Sequence, residues 1–193
     1  MTVAQAHGSR RVPAEPGLWV VVFGDLGVFG IFFAAYLLAR GQSPELFAAA
    51  QHELDANLGI TYTLLLLTSS LLVARALAGI RVGDTHRAPR LVLAAAACGA
   101  AFAVLKGFEY SAKASEGLTP HTNDFFLYYF VLTGLHLVHL LVGLGLLGYL
   151  WVLARRPARL DETHLAYAEG SASFWHMVDA LWIVIFPLLY LVQ

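Results

Sequence analysis

Two histidines three residues apart, His136 and His139, stand near the middle of the apolar run Tyr128-Tyr-Phe-Val-Leu-Thr-Gly-Leu-His-Leu-Val-His-Leu-Leu-Val-Gly143. At that spacing both imidazoles share one face of a helix, where they can bind a metal, pass protons or hydrogen-bond a neighbouring helix. A second pair, His176 and Asp179, repeats the spacing inside Phe174-Trp-His-Met-Val-Asp-Ala-Leu-Trp182, and Asp25, Lys106 and Glu109 add three charges to other apolar blocks. A polar group in hydrocarbon is costly unless something satisfies it. His136 and His139 are therefore expected to have partners on other helices.

The elements that must position these residues are membrane spans. Hydrophobic residues make up 59% of the 193 and charged ones 13%, against about 45–50% and 25% in soluble domains. The apolar residues fall into five blocks, Leu18–Leu38, Gly59–Leu77, Leu91–Glu109, Phe125–Leu153 and Ser173–Val192. Each approaches or exceeds the roughly 20 residues that cross a bilayer core; the fourth, the longest, must tilt or project beyond it. Turn chemistry separates them: Gly41-Gln-Ser-Pro44, Gly83-Asp84 with Pro89, Gly117 with Pro120, and Pro157. Asp124 is the expected N-cap of the fourth helix.

The fold class is thus all-α, a polytopic bundle of five transmembrane helices, with residues 18–193 one membrane domain and residues 1–17 a cytoplasmic tail. That tail, with Arg10, Arg11, Pro13 and Pro16, does not read as a signal peptide. Nine basic residues (Arg10, Arg11, Arg75, Arg81, Arg87, Arg90, Arg155, Arg156, Arg159) lie toward one side and three (Arg40, Lys106, Lys113) toward the other. The positive-inside rule sets the N-terminus in the cytoplasm and the C-terminus outside. The loop between the first two spans is acidic and too short to fold alone. A net charge of −1 excludes an electrostatic case for nucleic acid, and the single cysteine, Cys98, excludes an internal disulfide framework.

Two readings of Asp25 stand side by side: a carboxylate that takes up and passes protons, or a hydrogen bond that packs helices. Taking each span's midpoint as the bilayer centre, Asp25 falls about 6 Å in depth from His139 at ~1.5 Å per residue. An Asp25–His139 pair is expected, with His136 the alternative partner. Imidazoles at i and i+3 cannot ligate opposite faces of one haem, and a metal would need further ligands from His176, Asp25, Glu109 or Asp179. A structural network is the expectation, with no haem, copper or zinc bound by this chain. His176 and Asp179 read as a local pair in an interfacial anchor near the cytoplasmic end of the fifth span. Lys106 and Glu109 read as a snorkelling ion pair, and Thr61, Thr68 and Arg75 as a packing stripe at heptad spacing. Gly24, Gly27, Gly30 and Gly143 would let helices approach closely. No nucleophile elbow, phosphate-cradling loop or Cys/His cluster is present.

Five segments in order resemble the subunit III family of haem-copper oxidases (cytochrome c oxidase subunit III). They are WVVVFGDLGVFGIFFAAY at Trp19–Tyr36, YTLLLLTSS at Tyr62–Ser70, KGFEY at Lys106–Tyr110, TGLHLVHLLVG at Thr133–Gly143 and FWHMVDALW at Phe174–Trp182. The resemblance runs from about Gly17 to the end. Many members have seven spans, and this chain lacks the first two. Asp25 stands where cytochrome c oxidase members usually carry Glu. Five-span quinol-oxidase members and the relatives that accompany nitric oxide reductase commonly carry Asp there. The run Gly117-Leu-Thr-Pro-His-Thr-Asn-Asp-Phe-Phe126, with GDLGVFG and FWHMVDALWIVIFPLLYL, looks most like the latter five-helix branch. The resemblance implies a bacterial plasma-membrane subunit without catalysis of its own, packed on a catalytic subunit I that holds haem and copper. It also implies bound lipid and support of proton uptake, with the family carboxylate at Asp25, the helix histidines at His136 and His139, and the last motif at Trp175, His176 and Asp179. The competing reading is a stand-alone proton or small-solute transporter, against which stand the absence of inverted repeats and of Gly/Pro-broken spans in matching positions.

Overall fold

The computed structural model describes residues 16–156 and 160–191. Those residues form six α-helices and one π-helical turn, with no strand: α1 Pro16–Gln42, α2 Pro44–Gln51, α3 Ala56–Val82, α4 Ala88–Ser115, α5 Asp124–Ala154, α6 Glu162–Phe186 and the turn Pro187–Leu191. Five of the helices are long and apolar enough to cross a membrane, so the chain is a multi-pass membrane protein. Residues 1–15 of the tail, Pro157, Arg159 and Val192 lie outside the described residues, and Pro16 and Gly17 belong to α1 rather than to a tail.

Every span is longer than its apolar block because the chain's own caps set the ends. Gly83, at φ 80°, closes α3 in the left-handed conformation. The Gly83 and Asp84 amides then bond back to Ile80 and Gly79 at 3.0 and 2.9 Å, and a side chain there would be strained. Asp84 next accepts from the His86 and Arg87 amides at 3.0 and 2.8 Å and launches α4. Gly117, at φ 78°, ends α4 the same way. The N-cap of α5 is Asn123, accepting from the Phe126 amide at 3.0 Å; Asp124 is the first helical residue instead. Asp161 caps α6 by accepting from the His164 amide at 2.8 Å, so α6 starts eleven residues before the expected Ser173.

The acidic segment after α1 is not wholly a loop. Ser43-Pro44 starts α2, since proline is preorganised for a first helical turn, and Phe47 anchors it edge-on to Tyr36 and Phe125. The core runs between α3, α4, α5 and α6, where Leu66, Val73, Phe102, Leu140, Trp175 and Trp182 are fully buried. α6 is the most buried span and α1 the least. α1 docks by a narrow seam: Val22, Phe29 and Tyr36, spaced by seven, are buried, while Val20, Phe23, Val28 and Ile31 face outward.

The glycines divide accordingly. A Cβ on Gly143 would lie 2.8 Å from the Trp175 ring, and one on Gly99 2.5 Å from it. These two positions admit Trp175, one of the two tryptophans of α6. Gly24, Gly27 and Gly30, expected to admit a neighbouring helix, have nothing within 4 Å. Thr61, Thr68 and Arg75 likewise point outward; the packed face of α3 is Tyr62, Leu66, Ser69, Val73, Ala76 and Ile80. Heptad spacing alone does not say which stripe faces the core.

Candidate functional site

The polar residues singled out in the sequence assemble into three clusters. The first joins α1 to α5. His139 Nε2 stands 3.5 Å from Asp25 Oδ2, with the two side chains 21% and 27% exposed, so Asp25 pairs with His139 and not with His136. His139 Nδ1 is 2.8 Å from the Leu135 carbonyl. A carbonyl only accepts, so Nδ1 carries a proton. That leaves Nε2 as the ring nitrogen that faces the Asp25 carboxylate. Phe29 meets the imidazole edge-on at 5.4 Å, and Phe174 stacks on it at 6.4 Å.

The second cluster lies between α3 and α6. The hydrogen-bond partner of His176 is Ser70 Oγ, 2.6 Å from Nδ1, while the local Asp179 acts on the imidazole through its charge. Asp179 is 6% exposed, and its Oδ1 and the Trp175 Nε1 have no hydrogen-bond partner among the described residues. Because α6 begins at Glu162, His176 also lies in the body of the helix, well beyond the Arg81–Glu169 pair (2.8 Å) that marks the ends of α3 and α6. One level up, His136 is fully buried. It packs against Phe102 and Trp182 at 5.5 and 5.3 Å, and neither ring nitrogen has a hydrogen-bond partner among the described residues. The expected interhelical partner of His136 is therefore not there.

The third cluster overturns the snorkelling assignment of Lys106 and Glu109. Their side chains are 0% and 4% exposed, and Nζ lies 2.9 Å from Oε2. Tyr62 of α3 donates to Glu109 Oε2 at 2.8 Å. Tyr129 of α5 and Tyr190 of the π turn donate to Oε1 at 2.9 and 2.8 Å. Lys106 donates onward to the same two hydroxyls at 3.1 and 2.8 Å. Three phenolic and three ammonium protons thus find six acceptor positions, and the proton inventory closes. The ammonium also sits 4.7 Å from the Tyr129 ring centroid and 5.3 Å from that of Tyr62, both within cation–π range. Beside it, Tyr110 donates to Thr133 at 2.6 Å, since the Thr133 proton is taken by the Tyr129 carbonyl.

Sequence reasoning found the ions but missed the three tyrosines. The available signal was Lys106 itself: deep burial of an ammonium calls for three acceptors, which one i+3 carboxylate cannot supply. Among the described residues no three His, Cys, Asp or Glu side chains gather as a metal site. The one hydroxyl these clusters set beside an imidazole, Ser70 at His176, lies part-buried where α3 meets α6. What they can do is hold protons and tie helices together.

A multi-pass bundle whose internal polar groups mostly bind one helix to another is an integral membrane protein tied together from within. A family model described as cytochrome c oxidase subunit III matches residues 17–193, and the chain belongs to that family. It is 33% identical over 189 residues to cytochrome c oxidase subunit 3 of Thermostichus vulcanus, covering 97% of this chain and 90% of the relative. It is 33% identical over 193 residues to the protein of that name from Synechocystis sp., covering 98% and 81%. A heme-copper oxidase subunit I+III of Aeropyrum pernix is 25% identical over 180 residues, 91% of this chain and 22% of that longer protein.

Proposed function

We propose that this chain is the non-catalytic subunit III of a respiratory haem-copper oxidase in a bacterial plasma membrane. Its partner is the catalytic subunit I, which holds haem and copper; this chain binds neither. The family match over residues 17–193 carries the reading, and the relative that joins subunits I and III in one protein supports the partner. Its work is to stabilise the catalytic subunit and support proton uptake, with lipid against its apolar faces. The Asp25–His139 pair suits that second task, because it sets a carboxylate 3.5 Å from an imidazole at a part-exposed position.

The N-in, C-out orientation is part of the same proposal. Arg81, Arg87, Arg90, Arg155 and Arg156 gather at one end of the bundle and Arg40 and Lys113 at the other. Lys106, being buried in an ion pair, no longer counts against the asymmetry. A reporter fused after Gln193 should behave as extracytoplasmic.

Purification of the tagged chain from its native membrane tests the function. Co-purification with a haem-copper subunit that consumes oxygen is the expected result. The run Gly117–Phe126 and the aspartate at position 25 favour, as a second reading, a complex that reduces nitric oxide instead. An isolated protein that moves protons or solutes would replace both with a transporter.

A further inference from the structure

The Lys106–Glu109 cage draws its ligands from four elements, and the last to be made is the turn Pro187–Leu191. In a lone α4, Lys106 and Glu109 reach only each other. Two ammonium protons and most carboxylate lone pairs are then left bare in hydrocarbon, an unfavourable state. Tyr62 and Tyr129 improve this as α3 and α5 pack. Tyr190 completes it, bonding both ions at 2.8 Å.

Two further contacts meet at this same turn. Tyr36 of α1 donates to the Leu188 carbonyl at 3.0 Å. Gly59 of α3 leaves room for it: a Cβ there would overlap the Phe186 ring and lie 3.1 Å from Tyr190. The π geometry follows from Pro187, which has no N–H to continue the α ladder, and both Leu189 and Tyr190 turn inward beyond it.

We infer that the turn is a completion latch. Its closure neutralises the demand of the buried ion pair and at the same time pins α1, the helix that carries Asp25. Folding of the bundle, and with it the placement of the Asp25–His139 pair, is conditional on residues 187–191 seating against α3, α4 and α5.

The test is a comparison of backgrounds in the full chain expressed with its partner subunits. In the parent, deleting residues 187–193 should lower the folded, protease-resistant protein several-fold or more, and Tyr190→Phe should lower Tm by several degrees. In a Lys106→Met/Glu109→Leu background the ions that need the turn are gone, so Tyr190→Phe should be silent and the deletion clearly milder. If that apolar pair does not fold, Lys106→Leu with Glu109→Met serves as the second background without partners at 106 and 109 for the Tyr190 hydroxyl. Tyr36→Phe, which touches the turn but not the cage, should lower Tm equally in all backgrounds. Equal effects of Tyr190→Phe with and without the ions would overturn the inference. So would a parent that accumulates normally without residues 187–193.

Discussion

The cage around Lys106 and the pair at Asp25 both bury charge in a membrane helix bundle, yet they are built in opposite ways. Lys106 is fully buried, and its six-bond network with Glu109 and three tyrosines leaves no donor unused. Asp25 and His139 are each about a quarter exposed and touch through one 3.5 Å contact, with no further side-chain partner holding the carboxylate among the described hydrogen bonds. A closed network gains rigidity and has no site for an incoming proton. An open pair holds little structure together and can exchange its proton with its surroundings. The difference makes the first region structural and leaves the second as the proposed place for proton handling.

Breaking the closed network should have the largest effect. Glu109→Leu alone strands a buried ammonium, and a cost of about 3–5 kcal/mol is expected for one partner of such a pair. It would be read as a large fall in Tm of the purified complex. Lys106→Met with Glu109→Leu should recover most of that loss, because an apolar pair of similar volume needs no partners. A double variant no better than the single would mean that packing, not charge, holds the region.

Glycine substitutions sharpen the contrast between the two faces. Gly143→Val should cost about 1–3 kcal/mol by overpacking against Trp175. Gly27→Ala on the open face of α1 should leave the isolated chain within about 0.5 kcal/mol of the parent. If the isolated chain is unaffected but the assembled complex is lost, Gly27 faces a partner subunit.

Asp25→Leu should cost about 1 kcal/mol, at the low end for an unpaired polar group because the imidazole it strands is itself part-exposed. Asp25→Asn, which can still meet the imidazole, should cost less.

The smallest effect belongs to the cap of α6. The His164 amide, and then its imidazole, bond the Asp161 carboxylate and hold it below the ordinary carboxylate pKa. The depressed value means that the unfolded chain binds this proton more tightly. The cap's contribution is therefore present at neutral pH and lost as pH falls through the folded value. The Tm gap between the parent and Asp161→Asn should narrow below about pH 4.

Which parts were legible in the sequence follows from the same physics. Five spans, their order and their turns could be read because hydropathy and Gly/Pro chemistry act locally. The ends of the helices could not, since Asn123 and Asp161 cap them through single side-chain bonds. The depth argument placed Asp25 beside His139. The rule that a polar group in hydrocarbon finds a partner misled for His136, whose ring packs against Phe102 and Trp182 and whose nitrogens have no hydrogen-bond partner among the described residues. The tyrosine cage was hidden because Tyr62, Tyr129 and Tyr190 are far apart in sequence and each looks like an ordinary aromatic of an apolar helix.

The division between structural cage and proton-handling pair is tested most directly by turnover per haem in the purified complex carrying Asp25→Asn. The prediction is a complex at near-parental yield and with at most a small drop in Tm, whose turnover is slowed, most at high pH where protons are scarce. Parental turnover per haem across that pH range would contradict the assignment and leave Asp25 as a packing residue.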